Sequence, residues 1–303
     1  MQNNLFGDII HHKKTLRDKY GVIPISVFDC NSPHWQKRKR NWLSLGIKSE
    51  CGRNATSINI SGDKKITSTY DTKNFSPQTL EFQRKFVGNG AISVFDPVLT
   101  EVMYNWFCPA NGMILDPFAG GSVRGIVAHC LGFKYTGCEL RNEQVESNRE
   151  QAIDILEVNN QPQWYCGDSE KVIPRLTPEY DLLFSCPPYA NLEVYSDHPD
   201  DLSNMEYKSF RNKYNSIIKE SVKKLKPKSY AIFVVGEVRD KQGYYLDFVG
   251  ETKKYFMDCG LKFYNEIILI GSYARASMVA NSYMKNKKIP KVHQNVLIFY
   301  KTK

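Results

Sequence analysis

The sequence predicts an α/β fold: a mostly parallel sheet covered by helices on both faces. Three observations predict it. From about residue 96 onward, short apolar runs alternate with helical stretches, the pattern of strands joined by crossover helices. A glycine-rich turn, Asp116-Pro-Phe-Ala-Gly-Gly-Ser122, follows one apolar run and precedes a helical one, where open α/β sheets place their ligands. The last two apolar runs have no helical pattern between them, which predicts an antiparallel hairpin at the end of the sheet.

Asp96-Pro97 is a helix start, an N-cap followed by proline at the first helical position, and Val98, Val102, Trp106 and Phe107 recur at helical spacing after it. Met113 to Leu115 is a strand and Val123 to Leu131 a helix. Lys134 to Cys138 is a strand, and Asn142 to Val158 a long helix with a polar face. Gln163 to Cys166 and Asp181 to Phe184 are strands, Tyr207 to Leu225 an amphipathic helix. Tyr230 to Val235 is a β-branched, aromatic strand followed by a helix over about 246–258. Phe263 to Ile270 and Val296 to Tyr300 close the sheet. The stretch 271–292 between them reads as a basic loop, with Arg275, Lys285, Lys287, Lys288 and Lys291, no acid, and Tyr273 and Tyr283 among them. Residues 1–75 are polar and punctuated, without clear alternation. A basic extension over 1–75 and one α/β domain over 76–303 are therefore expected.

The chain has 303 residues, 42% of them hydrophobic and 24% charged, an ordinary globular balance. It holds no run of the roughly 20 apolar residues needed to span a bilayer, and its first residues lack the layout of a secretion signal. The eight cysteines are scattered without a CxxC pair, against structural zinc and against a disulfide framework. A cytoplasmic protein without a metal is the expectation. The net charge of +9 is unevenly placed: residues 205–303 carry +12, residues 1–53 carry +6, and the middle −9. Basic ends around an acidic middle suit a polyanion held near a centre that binds a cationic cofactor; solvated surface lysines are the plainer explanation.

A glycine-rich turn alone does not separate dinucleotide from phosphate loops. The leading Asp116 distinguishes this one, because an acid repels phosphate and pairs with an ammonium group. The run resembles the first motif of the DNA amino-methyltransferases, which methylate adenine N6 or cytosine N4. That resemblance implies a doubly wound, mostly parallel seven-stranded methyltransferase sheet and S-adenosyl-L-methionine as cofactor. It also implies that Asp116, Phe118, Gly120 and Ser122 surround the methionine part, that Glu139 holds the ribose hydroxyls, and that Asp168 contacts the adenine amino group. Asp96-Pro97 resembles the segment that closes this pocket from upstream.

Phe184-Ser-Cys-Pro-Pro-Tyr189 ends the fourth of these strands and resembles the family's catalytic tetrapeptide, an Asp, Asn or Ser followed by two prolines and an aromatic. Pro187 and Pro188 fix an extended backbone whose carbonyl can accept from an exocyclic amine, and Tyr189 would stack on a base flipped out of the duplex. Cys186 departs from the pattern, since a thiol is a poor acceptor. Ser185 does not substitute for it, because neighbouring strand residues point to opposite faces. A cysteine is a strong nucleophile once ionised, so cytosine-C5 methylation through Cys186 is the alternative, with Glu237 of Val235-Gly-Glu-Val-Arg239 as the acid near cytosine N3. The downstream run 190–197 reads as part of the base pocket or a closing loop. The tetrapeptide, the Glu237 segment and His293-Gln-Asn-Val-Leu together look like methyltransferases of phages and prophages.

Lys37, Arg38, Lys39 and Arg40 stand between Trp35 and Trp42. With Arg275, Lys285, Lys287 and Lys288 they are the expected nucleic-acid contacts, cations interleaved with aromatics. The expected partner is double-stranded DNA with a flipped base, and no membrane. A homodimer, an RNA substrate and an inactive nucleic-acid-binding relative stay open.

Overall fold

The computed structural model describes residues 14–48, 95–157, 159, 161–177, 179–188, 202, 205–240 and 242–303. Helices α1 (Leu16–Tyr20) and α2 (Pro33–Leu43) flank a short strand, β1 (Val27–Asp29). After α3 (Pro97–Phe107) come β2 (Met113–Asp116), α4 (Val123–Cys130), β3 (Lys134–Glu139), α5 (Asn142–Ile155), β4 (Gln163–Cys166), α6 (Ser169–Val172) and β5 (Tyr180–Ser185). Then α7 (Tyr207–Lys223), β6 (Leu225–Val235), α8 (Phe248–Asp258), β7 (Lys262–Ile270), α9 (Tyr273–Lys285) and β8 (His293–Lys301) complete the chain.

Among the described residues one sheet holds the strands in the order β1-β7-β8-β6-β5-β2-β3-β4. Every pairing is parallel except those of β8, which runs antiparallel to both β6 and β7. This is the doubly wound sheet with a C-terminal antiparallel hairpin that the sequence predicts, with one strand more. The eighth strand is β1, three residues of the N-terminal segment added in parallel to the edge of β7, Val27 opposite Ile268.

Strand residues alternate between two cores, as a sheet covered on both faces requires. Ile114, Leu182, Phe184, Ile232 and Val234 join α3, α4 and α5 on one face. Leu115, Leu183, Phe233 and Val235 join α7 and α8 on the other, where Phe210, Tyr214, Phe248 and Phe256 pack together. Val22, Phe28, Trp35 and Ile47 belong to the first of these cores, so the described part of the N-terminal segment is built into the domain.

The stretch 271–292 is a helix rather than a loop over most of its length. Tyr273–Lys285 forms α9, whose Tyr273, Met278 and Met284 stay exposed. None of its described side chains is fully buried, which weakens the periodic signal by which a buried helix is recognised. Between β5 and β2 the connections change face, the helix after β2 lying on one side and the helix after β5 on the other. The crevice above this switch point is where doubly wound sheets bind ligands.

Candidate active site

A cavity of about 690 Å³ opens along the carboxyl edge of the parallel strands, within the roughly 300–1,000 Å³ of ligand clefts. Its walls include Phe118, Gly120 and Gly121 after β2, Glu139 and Arg141 after β3, and Asp168 and Ser169 after β4. Cys186, Pro187 and Pro188 after β5 face the same space. The sequence motifs thus converge on one cavity although 70 residues separate them.

The turn after β2 is shaped by its own hydrogen bonds. Gly120 sits at φ +52°, a left-handed conformation that favours glycine. Its N–H donates to Glu139 Oε2 at 3.0 Å, its carbonyl accepts from Asn148 Nδ2 at 2.7 Å, and the Ala119 N–H donates to the Cys138 carbonyl at 2.9 Å. A Cβ on Gly137 of β3 would lie 2.8 Å from the Ala119 Cβ, so only glycine lets the turn lie this close to the strand. Glu139 Oε1 accepts from the Arg141 N–H at 3.0 Å, which fixes the carboxylate at the cavity wall.

Asp116 does not offer the free carboxylate expected of it. The residue is fully buried and four donors use its two oxygens. Oδ2 accepts from Arg124 Nε at 2.5 Å and from the Tyr135 hydroxyl at 2.7 Å. Oδ1 accepts from the Ser185 hydroxyl at 2.5 Å and the Phe118 N–H at 3.2 Å. Arg124 also donates to the carbonyls of Phe118 and Ala119, and its guanidinium lies 4.5 Å from the centre of the Phe95 ring. Burial works against that charge, but the Asp116 carboxylate, together with Tyr135 and Cys186, offsets it and holds Arg124 ionised. The Tyr135 hydroxyl is pushed well up by the same burial and the same carboxylate. Asp116 and Arg124 therefore form a buried pair beneath the turn and shape it from below. Ser122 is a second correction: it is buried, and its hydroxyl donates to Gln151 Oε1 at 3.2 Å instead of facing the cavity.

Asp168 caps α6 by accepting from the Glu170 N–H at 3.1 Å, and its other oxygen lies 3.0 Å from Lys213 Nζ. Lys213, from α7, also lines the cavity and was not anticipated. At the end of β5, the Ser185 hydroxyl is committed to Asp116, while Cys186 faces the cavity, half-buried. Tyr189 and the run 190–201 lie outside the described residues.

Glu237 is not placed to act as an acid. Its oxygens accept from the Phe248 and Val249 N–H groups at 3.1 and 3.2 Å, and it is not among the cavity walls. The local backbone explains this. Asp247, the residue before α8, adopts a left-handed conformation and makes no side-chain cap, so Glu237 serves the free amides of the helix.

The run of cations between the two tryptophans is divided by the helix that carries it. Trp35 is buried, and its indole N–H is shared between both Asp96 oxygens at 3.2 Å; the Trp42 indole donates to Glu101 Oε2 at 2.8 Å. Arg38 pairs with Glu101 at 2.5 Å and Lys39 with Asp96 at 3.1 Å, so these two cations face inward. Lys37 and Arg40 are exposed. Asp96 also caps α3, accepting from the Val98 and Leu99 N–H groups, as the sequence predicts. It thereby joins the N-terminal segment to the cavity wall, which both Asp96 and Lys39 line. Lys285 and Lys287 are exposed at the end of α9, and Lys288 lies against Gly243; the side chain of Arg275 lies outside the described residues.

The far end of the cavity brings in residues whose place in a pocket the sequence did not signal. Gly271 after β7 and Lys291 and His293 at the start of β8 line it, together with Asn31 and Gln36. Asn31 Nδ2 donates to the Gly271 carbonyl at 2.8 Å, tying the N-terminal segment to the hairpin. Burial pushes Lys291 below its ordinary value; burial and then neighbouring Lys291 do the same to His293. A lysine and a histidine bordering an apolar strand carry little signal in sequence, where they read as a strand end. Arg124 was the more legible omission, a lone cation in the apolar helix Val123–Cys130.

No family model matches the chain, and no curated protein matches it. Among solved structures it is similar to TrmN from Thermus thermophilus, at 14% identity and a TM-score of 0.46 over 68% of this chain and 49% of that one. The chain thus spans about half the length of TrmN. It is also similar to magnesium protoporphyrin IX methyltransferase from Synechocystis PCC 6803, at 13% identity and TM-score 0.44, covering 78% and 97% of the two chains. A methyltransferase from Pyrococcus furiosus gives 14%, 0.45, and 76% and 100%. With TM-scores below 0.5, these likenesses add nothing to what the strand order already shows.

Proposed function

We propose that the protein is an S-adenosyl-L-methionine-dependent methyltransferase that modifies a flipped-out base in DNA, at an exocyclic amino group and at cytosine N4 in preference to adenine N6. The observation that carries this reading is the convergence of Gly120, Glu139 and Asp168 with Cys186-Pro187-Pro188 on one cavity above the switch point.

The donor set fits the cofactor. Glu139 is held at the wall by two backbone amides, and a carboxylate has about four lone-pair sites, which leaves capacity for a ribose diol. Gly120 and Gly121 leave room for a close approach, and Asp168 stands one strand further along. When bound, the cofactor supplies an electrophilic methyl group on a sulfonium. The buried Asp116–Arg124 pair acts at one remove, by fixing the Phe118 and Ala119 carbonyls and hence the shape of the turn.

Pro187 and Pro188 hold the chain after β5 extended, and a backbone carbonyl there can accept from the amine and orient its lone pair. Positioning of this kind suffices without a strong base. The C5 alternative needs a nucleophile and an acid. Cys186 faces the cavity as a nucleophile must, but Glu237 is occupied as the cap of α8, and this favours the amino-group reading.

The test is to supply cofactor with a labelled methyl group and follow the label into DNA, RNA or protein. Incorporation into DNA alone is expected. Label in RNA or protein, with none in DNA, would overturn the choice of substrate; no transfer to any polymer would overturn the reaction.

A further inference from the structure

We infer that the end of the cavity farthest from Glu139 and Asp168 is an anion subsite, formed by Lys291 and His293, with Lys39 lining the same cavity, and that it holds a phosphate of the strand carrying the target base. This rests on the function proposed above and assigns the substrate's backbone to a place within the same site.

The cavity follows the sheet edge from Asp168 after β4 to Gly271 after β7. Six inter-strand gaps of ~4.8 Å make that roughly 29 Å. The acids that suit the cofactor stand at β3 and β4 only, so a ligand gripped there leaves the stretch over β6, β8 and β7 to a second molecule. The acids at β3 and β4 each have a cation beside them, Arg141 next to Glu139 and Lys213 next to Asp168. Lys39 is matched by Asp96 at 3.1 Å. Lys291 has no ion pair among the described residues, and its Nζ lies 3.5 Å from the amide oxygen of Asn295, at the outer limit of a hydrogen bond. Glu237 is the acid whose field reaches it, yet both Glu237 oxygens accept from α8 amides. A half-buried ammonium without a carboxylate partner is costly. An arriving anion removes that cost and reverses the downward push of burial on Lys291 and His293.

The anion is a phosphodiester rather than an isolated ion because the cationic character continues outside. Residues 271–292 contain no acid, and α9 rises from this wall to the exposed Lys285 and Lys287. A strand seated on Lys291 would run on along those cations, each phosphate displacing counterions as it binds.

The experiment measures binding of fluorescein-labelled, mixed-sequence single-stranded DNA at several salt concentrations, alongside calorimetry with the cofactor, for the wild type, Lys291→Met and Lys291→Arg. A single strand enters without the cost of flipping. Lys291→Met is expected to weaken DNA binding several-fold and reduce the slope of log K against log salt by about 0.7, the single-strand value for one phosphate contact. Lys291→Arg should restore most of the slope, and cofactor affinity should not move. Unchanged DNA affinity and slope in a folded Lys291→Met would overturn the inference. Loss of cofactor affinity instead would overturn it by assigning the wall to the cofactor's carboxylate, leaving the proposed reaction intact. A wild type that binds cofactor but no DNA would overturn both the inference and the proposed substrate.

Discussion

Replacing Asp116 by alanine should damage the folded protein before it damages cofactor binding. The substitution removes one member of a pair whose side chains are 5% and 0% exposed, and leaves the Arg124 guanidinium without its counter-charge. It also strands the Tyr135 and Ser185 hydroxyls, which donate to the same carboxylate, and leaves the Phe118 N–H with Ser185 alone. Breaking a buried ion pair in this way costs about 3–5 kcal/mol. At ~2 °C per kcal/mol for a chain of this size, the melting midpoint should fall by ~6–10 °C. The assay is thermal unfolding of the cofactor-free protein, with urea unfolding to confirm that the transition stays single. Asp116→Leu combined with Arg124→Met, which removes both charges, should regain at least half of the loss, since buried pairs are often replaced by apolar side chains at little cost. A midpoint unchanged in the cofactor-free Asp116→Ala protein, together with lost cofactor affinity, would refute the buried pair. It would instead return Asp116 to the ammonium-binding role that its position in the motif suggests.

Three further outcomes follow from the site. Glu237→Ala should cost about 1 kcal/mol, the usual worth of a helix cap, and leave cofactor affinity unchanged; abolished methyl transfer at unchanged stability would assign Glu237 to the chemistry. Glu139→Gln should weaken cofactor binding by roughly tenfold or more, from the ~1.5–3 kcal/mol carried by hydrogen bonds to a charged group, and calorimetry showing equal affinity would remove Glu139 from the cofactor site. Cys30 faces the cavity, but burial, reinforced by Asp96, pushes its thiol up to about 12. At pH 8 only about one molecule in 10⁴ then carries the reactive thiolate, so alkylation of Cys30 should be slow and should quicken about tenfold per pH unit. Rapid labelling at pH 8 would contradict the packing around it.

The strands from β2 to β8 were legible because each is a short run bounded by turn residues, and in β2, β5 and β6 burial leaves runs that are apolar and too short for a helix. β1 was not legible. Its three residues, exposed, buried and exposed, are too few for a pattern, and it is defined only by pairing with β7, some 240 residues away. α9 escaped for the opposite reason: its residues form a helix without a buried stripe. Within the site, Gly120, Glu139 and Cys186 sit where the motifs suggest. The contacts of Asp116, Ser122 and Glu237 were not legible, because each is set by side chains on other elements or by a backbone conformation. Arg124 captures Asp116, Gln151 captures Ser122, and the left-handed Asp247 hands its capping task to Glu237. The same holds for Arg38 and Lys39, whose place on the inner face depends on Glu101 and Asp96.

The central claim is the transfer of a methyl group to an exocyclic amine, and the most direct measurement is the identity of the product. DNA incubated with the protein and S-adenosyl-L-methionine, digested to nucleosides and resolved by mass spectrometry, should contain N4-methylcytosine or, second in preference, N6-methyladenine. 5-Methylcytosine would contradict the claim and make Cys186 the nucleophile.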